Sequence, residues 1–87
     1  MVRIEIGTVF HFYAKASVAA IQIQAGELSV GDTIMIEGPS TTITMEVSSL
    51  QIEHMSVQKA TAGQNVGIKV PDRAREGDKV YRIEPTP

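Results

Sequence analysis

Cysteine is absent from this chain of 87 residues, and so is tryptophan. The first absence removes disulfides, thiolate nucleophiles and Cys-based zinc sites together, and it fits a reducing compartment. Aromatic residues are few: Phe10, Phe12, Tyr13 and Tyr81 complete the set. Positive charge is not in excess either. The formal net charge is −2, which argues against a polyanion binder working by bulk electrostatics. No apolar run reaches the length that crosses a bilayer. The opening residues, Met1-Val2-Arg3-Ile4-Glu5-Ile6, alternate instead of forming the continuous apolar stretch of a signal peptide. The expectation is a cytoplasmic protein with no membrane partner. Helical periodicity is missing as well, because Ala60-Thr61-Ala62 and Arg73-Ala74-Arg75-Glu76 are too short to be more than single turns.

What is present is a period of two. Val2, Ile4 and Ile6 alternate with Arg3, Glu5 and Gly7, and the same phase reaches Phe10 and Phe12. Ala19, Ile21 and Ile23 share one face of a second strand, Ile34 and Ile36 mark a third, and Val66, Ile68 and Val70 mark another. A last strand runs from about Lys79 to Ile83. Between Thr42 and His54 the phase changes: Ile43, Met45 and Val47 are odd, whereas Leu50 and Ile52 are even. A β-bulge near Ser48-Ser49 reconciles the two halves of one long bent strand. Compact turn signals separate the runs, and one recurs as Gly31-Asp32-Thr33-Ile34, Gly63-Gln64-Asn65-Val66 and Gly77-Asp78-Lys79-Val80. A glycine opens the turn, a side-chain oxygen follows, and a strand begins, so the recurrence reads as repeated strand-entry chemistry. About six strands in a short chain predict an all-β fold, a small closed barrel or a sandwich, and the barrel is preferred because closure removes exposed edges. Residues 1–84 form the single domain of this reading and 85–87 a frayed tail. The apolar strand from Val18 to Ile23, if it lies at an edge, offers a route to a homodimer.

Catalytic chemistry is hard to find. There is no GxxxxGK[ST] loop and no GxGxxG fingerprint, so no nucleotide or other cofactor is expected. His11 and His54 each fall in a strand, and nothing in their spacing brings them together with Glu5 or Glu53 as a metal site. No serine stands in a strained nucleophile elbow. Glu46 and Glu53, on one straight strand, would be about 20 Å apart, too far to share a glycosidic bond. The reading is a non-catalytic binding module, not an enzyme, with no metal and no cofactor.

Five of the eight basic residues, Lys69, Arg73, Arg75, Lys79 and Arg82, fall within fourteen positions. Pro71 to Gly77 reads as an exposed loop between strands, where binding residues usually sit on a rigid scaffold. Arginines there can grip phosphate or carboxylate oxygens in bidentate fashion. Asp72, Glu76 and Asp78 are interleaved with them, which is equally the pattern of a solvated loop held by mixed charges. His11 and Tyr13, if they face outward opposite Phe10 and Phe12, form a small stacking platform; the alternative is that the aromatics serve core packing or simple β-propensity.

The order of these pieces resembles the second domain of elongation and initiation factor GTPases. Ile6-Gly7-Thr8-Val9, then Gly26-Glu27-Leu28-Ser29-Val30-Gly31-Asp32-Thr33-Ile34, then Ala62-Gly63-Gln64-Asn65-Val66-Gly67-Ile68, and finally Arg75-Glu76-Gly77-Asp78 are similar to that family's motifs and cover about residues 6 to 83. The resemblance implies a six-stranded Greek-key-like β-barrel of the translation-factor domain 2 type. In full-length factors that domain packs on a GTPase domain and contacts tRNA ends or the ribosomal small subunit, so RNA or a ribonucleoprotein becomes an expected partner through the 71–78 loop. Related barrels occur as accessory domains of collagenase-like peptidases. The alternative is therefore an accessory domain that docks on a separately encoded enzyme of that kind. The resemblance is to the second domain alone, and no GxxxxGK[ST] loop falls within these 87 residues, so nucleotide-driven switching is not carried over.

Overall fold

The computed structural model describes residues 2–84; Met1 and the expected tail at 85–87 lie outside them. The described residues form ten strands and no helix. In chain order they are β1 (Val2–Tyr13), β2 (Val18–Ile23), β3 (Glu27–Ser29), β4 (Thr33–Gly38), β5 (Thr41–Glu46), β6 (Leu50–Ile52), β7 (Met55–Val57), β8 (Lys59–Thr61), β9 (Asn65–Lys69) and β10 (Lys79–Glu84). Eight of them make one antiparallel sheet in the order β5-β4-β10-β1-β2-β9-β6-β7, and β3 pairs with β8 in a second. Among the described residues no helix is long and apolar enough to cross a membrane.

The six strands expected from sequence correspond to β1, β2, β4, the β5–β6 stretch, β9 and β10. Three more, β3, β7 and β8, are only three residues each and leave little periodicity to read. The segment Ala60-Thr61-Ala62, expected as a helical turn, instead lies at the end of β8 and in the turn after it. The bulge expected near Ser48-Ser49 is corrected too. Residues 47–49 leave the ladder altogether, so β5 and β6 are separate strands, six places apart in the sheet order. The phase change is a corner where the chain exchanges one neighbour for another. The real bulges are in β1, where register shifts fall between Glu5 and Gly7 and between Val9 and His11.

That corner dictates the shape of the sheet. Six strand spacings separate β5 from β6 in the ladder order, which in a flat sheet is about 29 Å. Glu46 and Leu50 are joined by only four peptide units, which reach about 14 Å. The sheet must therefore curl until its ends approach each other. The hydrogen-bonded ladder itself is not closed among the described residues; Val47, which exchanges backbone hydrogen bonds with Gly31 and Asp32, bridges from β5 to the turn before β4. The expected closed ladder is thus replaced by covalent continuity and packing at the seam. Nor is β2 an edge, since β1 and β9 flank it, and the route to a homodimer through Val18–Ile23 is closed.

One cluster of buried side chains fills the curl. Ile6, Val9, Ile21, Ile23, Leu28, Ile34, Ile36, Leu50, Ile68 and Val80 are fully enclosed, and Val66 and Val70 join them. Fully burying one such side chain stabilises by about 1.5–3 kcal/mol. Gly7 belongs to this interior for a steric reason, because a Cβ there would overlap the Gln22 carbonyl oxygen.

The recurring Gly-Asp/Gln element proves to be one turn used three times. In Ser29–Asp32, Thr61–Gln64 and Arg75–Asp78, the fourth residue's N–H donates to the first residue's carbonyl, at 3.1 Å in each case. The fourth residue's side-chain oxygen accepts the first residue's N–H, at 2.9, 2.8 and 2.9 Å. The third residue is Gly31, Gly63 or Gly77, with φ of 98°, 93° and 93°, as a type II turn requires. Each turn closes on two reciprocal hydrogen bonds and delivers the chain into β4, β9 or β10.

Candidate functional site

The structure divides the five basic residues between different surroundings. Lys69 ends β9, while Arg73 and Arg75 lie in the exposed stretch that leads to the Arg75–Asp78 turn. None of these three makes an ion pair among the described residues. Lys79 opens β10 and its Nζ lies 3.6 Å from the Glu5 carboxylate across the β1–β10 ladder. Arg82 is set apart: its guanidinium donates to the Glu27 carbonyl at 2.6 Å and pairs with Glu84 at 2.6 Å. It straps β10 to β3, and its side chain is only 20% exposed. Position in sequence had grouped it with the loop, but on a strand three residues turn it away from Lys79.

The loop does not fold as a helical turn. Ala74 is buried, Arg73 and Arg75 flank it in the open, and Asp72 accepts the Arg73 N–H through its side chain at 2.8 Å. The Val70 N–H donates to the Ser17 carbonyl at 2.9 Å, and Gly77 and Val9 are bonded through N–H and carbonyl at 2.8 Å. The loop is thereby stitched along β1 from the β1–β2 turn downward. That places Lys15, in the 14–17 turn, at the same end as Lys69 and Arg73. Sequence reasoning omitted Lys15 because more than fifty positions separate it from the others; the Lys69–Val18 register and the Val70–Ser17 hydrogen bond bring the two segments together.

His11 and Tyr13 do face outward, and their rings meet edge to face with centroids 4.4 Å apart. His11 Nδ1 lies 3.1 Å from the Glu76 carboxylate, so the loop steadies the platform from below. Phe12 packs against the core as expected, but Phe10 does not. It is 46% exposed because the bulge between Val9 and His11 turns it outward. His54 is not in a strand: with Glu53 it forms the β6–β7 turn, at φ of 65° and 51°. Glu53 therefore shares no strand with Glu46. Beside this turn the outer face of β1, β2 and β9 carries a concavity of about 600 Å³. No three His, Asp or Glu side chains are grouped to hold a metal ion among the described residues.

An all-β module with this strand order and these turns is of the translation-factor domain 2 type. The family model for elongation factor Tu domain 2 matches residues 17–78, and the chain belongs to that family. An uncharacterized protease of Methanocaldococcus jannaschii is 46% identical over 97% of this chain, which covers 21% of that protein. A collagenase of Porphyromonas gingivalis is 37% identical over 94% of the chain, covering 20% of its length. The chain thus spans about a fifth of these relatives. In fold it is similar to the C-terminal domain of a Geobacillus thermoleovorans U32 peptidase, with a TM-score of 0.84, 18% identity and 92% of each chain covered.

Proposed function

We propose that this chain is a non-catalytic accessory module that serves a peptidase by docking on its catalytic part. The observation that carries the reading is the likeness to two proteases across nearly the whole chain, of which it accounts for only a fifth. A piece that recurs at that size beside a much larger remainder behaves as a separable module. The outer face carries scattered ion pairs, Arg3 with Glu37 and Lys79 with Glu5. In this reading residues 1–84 act as one unit, and the curled sheet closes into the six-stranded Greek-key-like barrel of the family, with β5–β6 as its seam. Calorimetric titration of the chain into a U32-type peptidase deprived of its own β module tests the proposal. Saturable binding near one to one is expected; no binding overturns it.

A second reading has its own observation. Lys15 and Lys69 lie at one end of the molecule, and Arg73 and Arg75 follow on the loop that runs from there along β1, all without ion pairs among the described residues, in a chain of the elongation factor family. RNA or a ribonucleoprotein would meet that end through phosphates. Filter retention of tRNA and rRNA at low salt tests it, and the absence of retention there removes it.

A further inference from the structure

Among the described residues only Ser17, Glu53 and His54 adopt a left-handed backbone without being glycine, with φ of 55°, 51° and 65°. All three sit at one place. Glu53 and His54 line the 600 Å³ concavity, and Ser17 lies between its neighbours Ala16 and Val18, which line it too. Glu53 and His54 are the two central residues of the β6–β7 hairpin, where a tight two-residue turn takes positive φ at both, and Ser17 closes the β1–β2 turn, so two turns fix the rim of the hollow. Two of the few aromatic rings also line the hollow, Phe10 and Tyr13, 46% and 51% exposed. The β1 bulge holds Phe10 out of the core, and the His11–Glu76 pair steadies the ring against which Tyr13 leans.

The wall of the hollow is also an incomplete sheet. β6 and β9 are neighbours, yet their ladder has a single rung, Gln51 to Gly67. Most of β9 on that side lacks a ladder partner among the described residues. Gly67 keeps the β9 surface low there, with Val18 Cγ1 3.2 Å from where a Cβ would stand. Among the described residues that line the hollow Glu53 alone is a full charge, while Lys69, two residues beyond Gly67, and Lys15, next to Ala16, stand outside the lining. A nucleic-acid strand would bring phosphates to a lining whose fixed charge is negative.

We infer that this concavity binds an extended polypeptide segment, with a large apolar side chain between Phe10 and Tyr13 and a lysine or arginine two residues away paired with Glu53. An extended chain turns residues i and i+2 to the same face, which matches a hollow with aromatics on one side and a carboxylate on the other. Peptide binding against a sheet wall uses the backbone for affinity and alternate side chains for selection. The inference rests on the peptidase reading for its purpose, since holding a polypeptide is what an accessory module can add to a peptidase.

Fluorescence anisotropy with two labelled eight-residue probes tests it: Ser-Phe-Ser-Lys repeated twice, and the same peptide with Glu replacing each Lys. The wild-type chain is expected to bind the Lys probe saturably and at least about fivefold more tightly than the Glu probe. Phe10→Ser should weaken the Lys probe by about tenfold or more. Its side chain is outside the core, so an unchanged thermal melt serves as the folding control. Glu53→Gln should reduce the difference between the probes without abolishing binding. Equal binding of both probes, or indifference to Phe10→Ser, overturns the inference. So does an eight-nucleotide RNA, or a second copy of the chain in sedimentation, whose binding Phe10→Ser abolishes while neither peptide binds. If the peptidase titration fails and the Lys probe still binds, only the accessory reading falls. If the peptidase binds and neither probe does, only the peptide site falls.

Discussion

At the scale of single residues the molecule depends on small oxygen acceptors placed after glycines. The three reciprocal turns have the same hydrogen bonds but different burial: Asp78 is 2% exposed, Asp32 half-buried and Gln64 exposed. Truncation leaves an N–H unpaired in each, and that costs most where water cannot reach. Asp78→Ala should therefore destabilise by about 1–3 kcal/mol, Asp32→Ala by less, and Gln64→Ala least. Urea denaturation of the three variants measures the order, and a Gln64→Ala variant as unstable as Asp78→Ala would contradict it. Gly7→Ala makes a different demand, because the new methyl would overlap a main-chain oxygen that no side-chain rotation can move. It should cost about 3 kcal/mol or more, at the upper end for overpacking. The turn residues were legible in sequence, since a repeated Gly-Asp/Gln at a strand entry states its own turn chemistry; the crowding at Gly7 was not. Nor was Arg82. Its hydrogen bond to the Glu27 carbonyl spans 55 positions, and no local pattern announces a partner at that range.

At the scale of elements, what could be read was the alternation, and what could not was which strand meets which. The faces of β2, β4 and β9 follow the apolar residues, because one unbroken register repeats along each strand. In β1 the run Val9-Phe10 contains two candidates for the core, and periodicity assigned the inward place to Phe10. The bulge awards it to Val9, which is fully buried. Between Thr42 and His54 the phase change was visible, but a bulge and a corner leave the same trace in sequence. Only the pairing of β5 with β4 and of β6 with β9 separates them. The strand order also fixes where the fold opens first. β1, β2 and β10 are each paired on both sides, whereas β7 is a terminal strand of three residues attached through β6, itself held to β9 by one rung. Amide hydrogen exchange should show β6 and β7 exchanging through local opening, well before β1, β2 and β10. Uniform protection across all five strands would mean that the single rung understates how firmly that end is held.

At the scale of the whole molecule, a net charge of −2 conceals an uneven surface. The outer face of β1, β10 and β4 is neutralised pair by pair: Arg3 with Glu37, 3.4 Å apart, and Lys79 with Glu5. The end formed by the 14–17 turn and the 70–78 loop is not, since Lys15, Lys69, Arg73 and Arg75 outnumber Asp72 and Glu76, and Glu76 is engaged with His11. This asymmetry sets a ceiling on any contact with nucleic acid. Each phosphate neutralised on a single strand contributes a slope of about −0.7 to log K against log salt. Four available cations therefore allow a slope no steeper than about −3. If the chain retains RNA on filters through this end, the slope should stay within that limit, and Lys15→Glu together with Arg73→Glu should cut it roughly in half. A steeper slope, or one unmoved by the double substitution, would place the contact elsewhere on the molecule. A flat response with retained binding to a peptidase would leave the basic end as a solvated rim, with recognition carried by the aromatic face and Glu53 beside it.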